Sequence, residues 1–307
     1  MKPDDVILVA GEALYDLVVD GTDAVRAHPG GGPFNTARTI GRLEQPVAYL
    51  GRLSTDRFGT TLERMLGADG VRLDAVVRTD EPTTLALAEV DAAGTASYRF
   101  YERGTSAPGL TTEAALSALP SAVRILHVGT LGLMLEPVAT ATEAVIEELA
   151  PTALIAVDPN VRPWVIVDQE VYRRRLRRVL AHSHVVKVSE EDLAWLDPET
   201  PPLAAARALL DQGPRIALLT RGPDGVMVVT ADGDFPVLPP QVRVVDTIGA
   251  GDAFCGGFLA WWHWHDLARE ALTDTEAVLD AARYGCLVAA RTCERPGAEP
   301  PHLSELD

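Results

Sequence analysis

The chain is predicted to fold as an α/β protein: a mostly parallel central sheet covered by helices on both faces. Two observations carry this. From about residue 111, short β-branched runs alternate with longer segments of helical length. The polar clusters that interrupt the pattern fall directly after apolar runs: Asp158-Pro159-Asn160-Val161-Arg162, Lys187-Val188-Ser189 and Thr220-Arg221-Gly222. Ligands in such sheets bind beyond the carboxyl ends of the strands. Three polar clusters at three such ends define one candidate site.

Taken in order, Val6 to Gly11 reads as a short buried strand closed by glycine. Glu12 to Asp20 continues with Asp16 in an otherwise apolar stretch. Asp16 is either a solvated turn residue or a carboxylate that accepts ligand hydroxyls. Gly30-Gly31-Gly32-Pro33-Phe34-Asn35 opens a helix to about Leu43. It differs from a dinucleotide fingerprint, since position 35 is Asn and no strand is expected to feed into it. Asn35 is either a residue near a helix cap or a ligand amide beside a glycine turn. Strand 46–53, helix 59–68 and a hairpin (84–90 and 97–101, turning at Ala93-Gly94) follow. The hairpin reads as an insertion over a site, with Tyr98, Arg99, Tyr101 and Arg103 at its far end.

The regular alternation then predicts helices at 112–119, 136–149, 171–180 and 203–212. Strands are expected at 123–128, 153–158, 185–188 and 216–220, and a small β pair at 225–230 and 234–237. No repeat or linker divides the 307 residues, which read as a single unit.

Composition excludes several classes. A formal charge of −17 argues against a nucleic-acid partner, because phosphate contacts need clustered Lys and Arg. No apolar run approaches the ~18 residues of a membrane span, and no signal peptide is visible. Three cysteines form no CxxC pair, so a cytoplasmic setting with reduced thiols is expected. Lys2 and Lys187 are the only lysines and neither follows a glycine, so a Walker A loop is impossible.

The most informative stretch is Val244-Val245-Asp246-Thr247-Ile248-Gly249-Ala250-Gly251-Asp252-Ala253-Phe254. Small residues at a helix start let a ligand approach unpaired N–H groups at the positive dipole end, which suits phosphate. A carboxylate there opposes anion binding unless it has a task of its own. Removing a proton from a hydroxyl beside an incoming phosphoryl group is such a task. A plain dipole-complementing carboxylate is the bland alternative.

Gly31-Gly32-Pro33-Phe34-Asn35 and Asp246-Thr247-Ile248-Gly249-Ala250-Gly251-Asp252 resemble, in the right order, the two signatures of the PfkB (ribokinase-like) family of carbohydrate kinases. The resemblance covers essentially the whole chain. Pro82-Thr83-Thr84-Leu85-Ala86, Tyr98-Arg99-Phe100-Tyr101 and Asp158-Pro159-Asn160-Val161-Arg162 look most like bacterial fructokinases. The resemblance implies a ribokinase-like fold with a small β-sheet lid from about 12–28 and 83–104, and a homodimer joined through that lid. It also implies transfer of the ATP γ-phosphoryl group to a primary sugar hydroxyl, with Mg²⁺ and a monovalent cation, K⁺.

By the same resemblance, Asp252 is the base and the amides of Gly249, Ala250 and Gly251 form the anion hole. Arg162 reaches phosphates or an anionic substrate group, or else forms a surface ion pair. Asp16, Gly31, Gly32, Asn35, Tyr101 and Arg103 would meet the sugar. Lys187, Ser189, Asp192, Thr220, Gly222, Gly225 and Cys286 would lie along the nucleotide. Ser189 and Asp192 depart from the family's Asn-x-x-Glu, and a helix cap explains them equally well. Cys286 is equally a buried filler. Asp246, with carbonyls of Ile248 and the Arg295–Gly297 loop, would hold the cation, or Asp246 merely caps a turn.

Fructose is the first expectation for the acceptor, with 2-dehydro-3-deoxygluconate and ribose as rivals. A non-catalytic sugar- or nucleotide-binding regulator of the same fold would be expected to lose Asp252 or its glycines, which are intact. The Trp261–His265 cluster reads as packing, since His263 and His265 point to different helix faces.

Overall fold

The computed structural model describes residues 5–19, 24–90 and 96–306. The expected turn at Ala93-Gly94 lies outside the described residues. In chain order the elements begin with β1 (Val6–Ala10), β2 (Leu14–Val19), β3 (Val25–Gly30) and α1 (Gly32–Arg42). Next come β4 (Val47–Ser54), α2 (Arg57–Ala68), β5 (Val76–Thr79), β6 (Leu85–Val90), β7 (Ala96–Tyr101) and α3 (Thr112–Ser117). The alternating part runs β8 (Val123–Gly129), α4 (Val138–Leu149), β9 (Leu154–Asp158), α5 (Gln169–Ala181) and β10 (Val185–Ser189). It continues with α6 (Glu190–Leu196), α7 (Pro202–Leu210) and β11 (Ile216–Thr220). The chain closes with β12 (Val226–Thr230), β13 (Gly233–Val237), α8 (Ala250–Trp264) and α9 (Thr275–Cys293).

Nine strands form the main sheet in the order β13-β12-β11-β10-β9-β8-β1-β4-β5. The run from β11 to β5 is parallel, and β12 and β13 add antiparallel at one edge. Strand order reverses direction between β1 and β8. That switch point is where an open α/β sheet leaves a crevice beyond its carboxyl ends. Glu12, Thr130, Asp158 and Ser189 all follow or end strands at this rim.

Alternation along β1 shows why two helical layers are needed. Ile7 and Val9 pack with α1, α2, α8 and α9, whereas Val6, Leu8 and Ala10 pack with α3 to α7. Both sides of the strand are apolar because both sides are covered. The largest buried side chain, Trp262 on α8, stacks on Phe258 at 6.0 Å. Trp261 stacks on His265 at 3.9 Å and His263 bonds Gln45, so Trp262 and His263 pack inside, while Trp264 and His265 are exposed.

A second sheet of four strands, β3-β2-β6-β7, stands apart from the first. β3 corrects one expectation: a strand does feed directly into α1. Four of its six residues are exposed, so no apolar alternation marks it in the sequence. α9 was also invisible, although its buried residues recur at helical spacing from Val278 to Thr292. Helix α8 begins at Ala250, four residues earlier than its apolar run indicates.

Candidate active site

Helices α1 and α8 bring the two glycine-rich stretches together. Thr39 of α1 meets Gly256 of α8 so closely that a methyl group at 256 would lie 2.6 Å from Thr39 Cβ. Thr36 Oγ1 donates to the Asp252 carbonyl at 3.3 Å. One residue earlier, Asn35 Nδ2 donates to Asp252 Oδ2 at 2.9 Å, across 217 residues of sequence. The other amide atom, Asn35 Oδ1, is buried without a protein partner among the described residues. A buried acceptor in that state is poised for a ligand hydroxyl.

Asp252 lies in the first turn of α8, half-buried. Burial, reinforced by the nearby Asp158 charge, pushes its carboxyl up to about 7, against the Asn35 bond and the Lys187 and Arg162 charges. A carboxylate with that value would suit a base working near neutral pH. Gly249 precedes it as the helix cap with φ 77°, a left-handed conformation, and a side chain there would strike Ala298 at 2.5 Å. The Ala250 N–H donates to the Thr247 carbonyl at 3.2 Å. Gly249 and Gly251 keep their N–H groups without such an acceptor among the described residues. Of the three amides expected to form an anion hole, those of Gly249 and Gly251 are thus the two left open.

Glu12 is the site residue that sequence reasoning missed. It follows β1 and is 3% exposed. Its Oε1 accepts the N–H of Gly32, the first residue of α1, at 3.3 Å, and Oε2 is buried without a partner among the described residues. Helix α1 has no side-chain cap at its own N-cap Gly31, so this distant carboxyl satisfies one orphan donor. Burial and then the Asp252 charge raise Glu12 to about 8. The available signal was a carboxylate directly behind a five-residue buried strand.

Asp16 sits on β2 opposite His28 of β3. Burial raises it to about 6, with Arg162 and His28 opposing. Gly32 faces the side chains of Thr130, Asn160 and Asp252. Arg162 Nη1 donates to Asn160 Oδ1 at 2.6 Å and to two backbone carbonyls. It lines a cavity of about 450 Å³ with Asn160, Trp164, Glu191 and Trp195. Asp16, Gly32, Asn35, Arg162 and Asp252 thus converge.

Other expected residues fall elsewhere. Lys187 is buried, and its Nζ bonds both Asp158 carboxylate oxygens at 3.0 and 3.2 Å, so it is committed inside the protein rather than offered to a nucleotide. Asp192 is committed too: Oδ2 accepts from the Ser189 N–H and hydroxyl, and Oδ1 accepts from the Val161 N–H at 2.7 Å. Ser189 and Asp192 form a capping box. Cys286 is 3% exposed within the core, where burial pushes its thiol up to about 12; it is filler. Tyr101 is half exposed, and Arg103 is 96% exposed with Glu102 as its ion partner. Among the described residues, neither bonds to the Asp252 cluster.

Thr220 ends β11 with its hydroxyl on the Val188 carbonyl. Gly222 opens a short turn that Gly225 closes before β12. Asp246 accepts from the Ile248 N–H at 3.1 Å and from the Gly297 N–H at 2.8 Å. Three of the four residues expected around a cation are therefore joined by hydrogen bonds. The Arg295 side chain turns away to Glu305.

A family model described as pfkB family carbohydrate kinase matches residues 5–305. The chain belongs to this family. It is 35% identical over 259 residues to a fructokinase of Rhizobium leguminosarum bv. trifolii, covering 83% of this chain and 79% of that protein. A Vibrio alginolyticus fructokinase is 30% identical and covers 98% and 97% of the two chains. Among solved structures, the Xylella fastidiosa fructokinase with bound ATP superposes with a TM-score of 0.89. It is 28% identical and covers 99% of this chain and 97% of that one. A Vibrio cholerae fructokinase variant bound to fructose, ADP and potassium ion gives 0.86 at 26% identity, covering 99% and 97%. A carbohydrate kinase would have a use for a carboxylate next to two open amides. Among the described residues no helix is long and apolar enough to cross a membrane, and no three His, Cys, Asp or Glu cluster as a metal site.

Proposed function

We propose that this carbohydrate kinase transfers the γ-phosphoryl group of ATP to a primary hydroxyl of fructose, giving fructose 6-phosphate. The observation that carries the reading is Asp252 at the start of α8, beside the free amides of Gly249 and Gly251 and held by Asn35. Asp252 takes the hydroxyl proton as the oxygen attacks. The two amides and the helix dipole stabilise the charge on the transferring group. Asn35 Oδ1 and the Asp16 carboxyl accept sugar hydroxyls. Glu12 holds the first N–H of α1, and Asn160 holds the Arg162 and Thr130 side chains. Arg162 faces the phosphates from the opposite wall.

Fructose as acceptor is supported by the fructokinases at 30% identity or more. ATP fits the two open amides and the neighbouring cavity. Mg²⁺ would arrive with the nucleotide and neutralise phosphate charge. Since Asp192 is engaged, Glu191 on the cavity wall is the carboxylate left to meet its water shell. K⁺ fits beside Asp246, where it would hold the loop that carries the anion hole. The four-stranded sheet would serve as the lid, and a homodimer would form through it. The cytoplasm is its expected setting.

A coupled ADP-release assay tests the reading with fructose, ribose and 2-dehydro-3-deoxygluconate, in K⁺ or in tetramethylammonium. Highest kcat/KM with fructose and a higher rate in K⁺ are expected. Preference for the aldonate would move Arg162 from phosphate to substrate carboxylate, and equal rates in the two salts would remove the cation.

A further inference from the structure

Behind the base lies an ion pair that the chemistry described so far does not use. Lys187 and Asp158 are 6% and 3% exposed and bonded at 3.0 and 3.2 Å. Their position is what matters. A methyl group built at Gly251 would lie 3.1 Å from Lys187 Nζ. The ammonium therefore sits directly beneath the peptide whose N–H opens into the anion hole. Cys255, one turn along α8, approaches Asp158 Oδ2 at 3.9 Å. The pair is wedged between the sheet rim and the first turn of α8. The buried charge would be costly if it did nothing, because apolar residues of similar volume generally stabilise a core as well or better.

We infer that the Lys187–Asp158 pair is a positioning element for phosphoryl transfer, holding Gly251 and Asp252 in place and setting the field under the anion hole. This rests on the base role of Asp252. Three features support it. A methyl group at 251 would press on the ammonium at 3.1 Å, so the small residue of the signature serves the cation below as well as the ligand above. Lys187 is one of two lysines in the chain, and it occupies the place beneath the phosphate site without touching it. The two charges also act on Asp252 in opposite senses: Asp158 raises its pKa and Lys187 lowers it. The other groups facing Asp252 are Asn35 of α1, Glu12 after β1, Arg162 after β9 and Cys255 of α8 itself. Burial opposes the charge on Lys187, but the Asp158 carboxylate outweighs it and keeps the ammonium protonated.

The test compares wild type with Asp158→Asn, Lys187→Met and the double variant, reading thermal midpoint, ATP affinity, kcat and the pH–rate profile. Each single variant strands one buried charge and is expected to lose stability. The double variant removes both and should recover the midpoint. If the pair positions the anion hole, the double variant still turns over about 10–100-fold more slowly than wild type, with ATP affinity little changed. Asp158→Asn should also shift the acidic limb of kcat/KM to lower pH, since an unopposed ammonium favours ionised Asp252.

A double variant with wild-type turnover would show that the pair only fills the core, and would overturn the inference. An unmoved acidic limb in a folded Asp158→Asn protein would do the same. Should the single variants fail to fold, the double variant decides alone. A wild-type protein that phosphorylates no sugar would overturn the kinase reading and this inference together; an active wild type with an equally active double variant would overturn this inference only.

Discussion

The two sides of the cleft are built differently. On the acceptor side, Glu12, Asn35 and the first turn of α8 are buried or half-buried and interlocked, with Asp16 close by. The segment leading into α8, which would face the nucleotide, leaves Leu238, Val244, Val245 and Ile248 exposed. Charge development at the attacking oxygen needs groups already in place, because reorganising dipoles during reaction is costly. A nucleotide can supply its own apolar surface to cover an open wall. With Asp252 as the base, precision would be concentrated where the proton moves.

The contrast is broken most directly at Asp252. Asp252→Asn keeps the size of the side chain but cannot accept the proton. Turnover is expected to fall by ~10²–10⁴, while calorimetry finds sugar and ATP binding largely unchanged. Comparable turnover would detach the base from this carboxylate. A smaller loss is expected for Asn35→Ala, which removes a bond to a charged group and one buried acceptor. Such bonds contribute roughly 1.5–3 kcal/mol, or about 10–150-fold in kcat/KM for the sugar. The acidic limb should move to higher pH, because the Asn35 bond favours the ionised carboxylate. An unchanged KM for ATP would sharpen the contrast between the two sides.

Glu12→Gln should act on stability. The folded carboxyl holds its proton to about 8, above the ordinary 4.5. The folded state thus binds more protons in that window, and stability falls as pH rises through it. Buried His127, lowered to about 3 chiefly by burial, works in the opposite sense below its ordinary 6.5. Between pH 6.5 and 8, the carboxyls dominate. The thermal midpoint of wild type should decline over that range, and Glu12→Gln should flatten the decline. Identical slopes would mean Glu12 is ionised in the folded protein.

Much of this was legible in sequence. Alternating elements gave the sheet, and the two glycine stretches located Asp252, Asn35 and the open amides of Gly249 and Gly251. Those signals are local: a turn needs its glycine whatever surrounds it. Glu12, the Lys187–Asp158 pair and the bond from the Val161 N–H to Asp192 were not legible, although the Ser189–Asp192 cap was. Each depends on which strand ends become neighbours, and the β1–β8 switch point is set by topology rather than by any short pattern. The exposed strand β3 hid for a related reason, since alternation marks only a strand with one face buried.

The central claim is that a single carboxylate, raised by burial next to two open amides, removes the proton of the acceptor hydroxyl. The pH dependence of kcat/KM for the sugar at saturating ATP tests it most directly. The rate should fall below a limb near pH 7, matching the value of about 7 for Asp252, and the limb should be absent from the residual activity of Asp252→Asn. A flat profile from pH 5 to 9, or the same limb in both proteins, would contradict it.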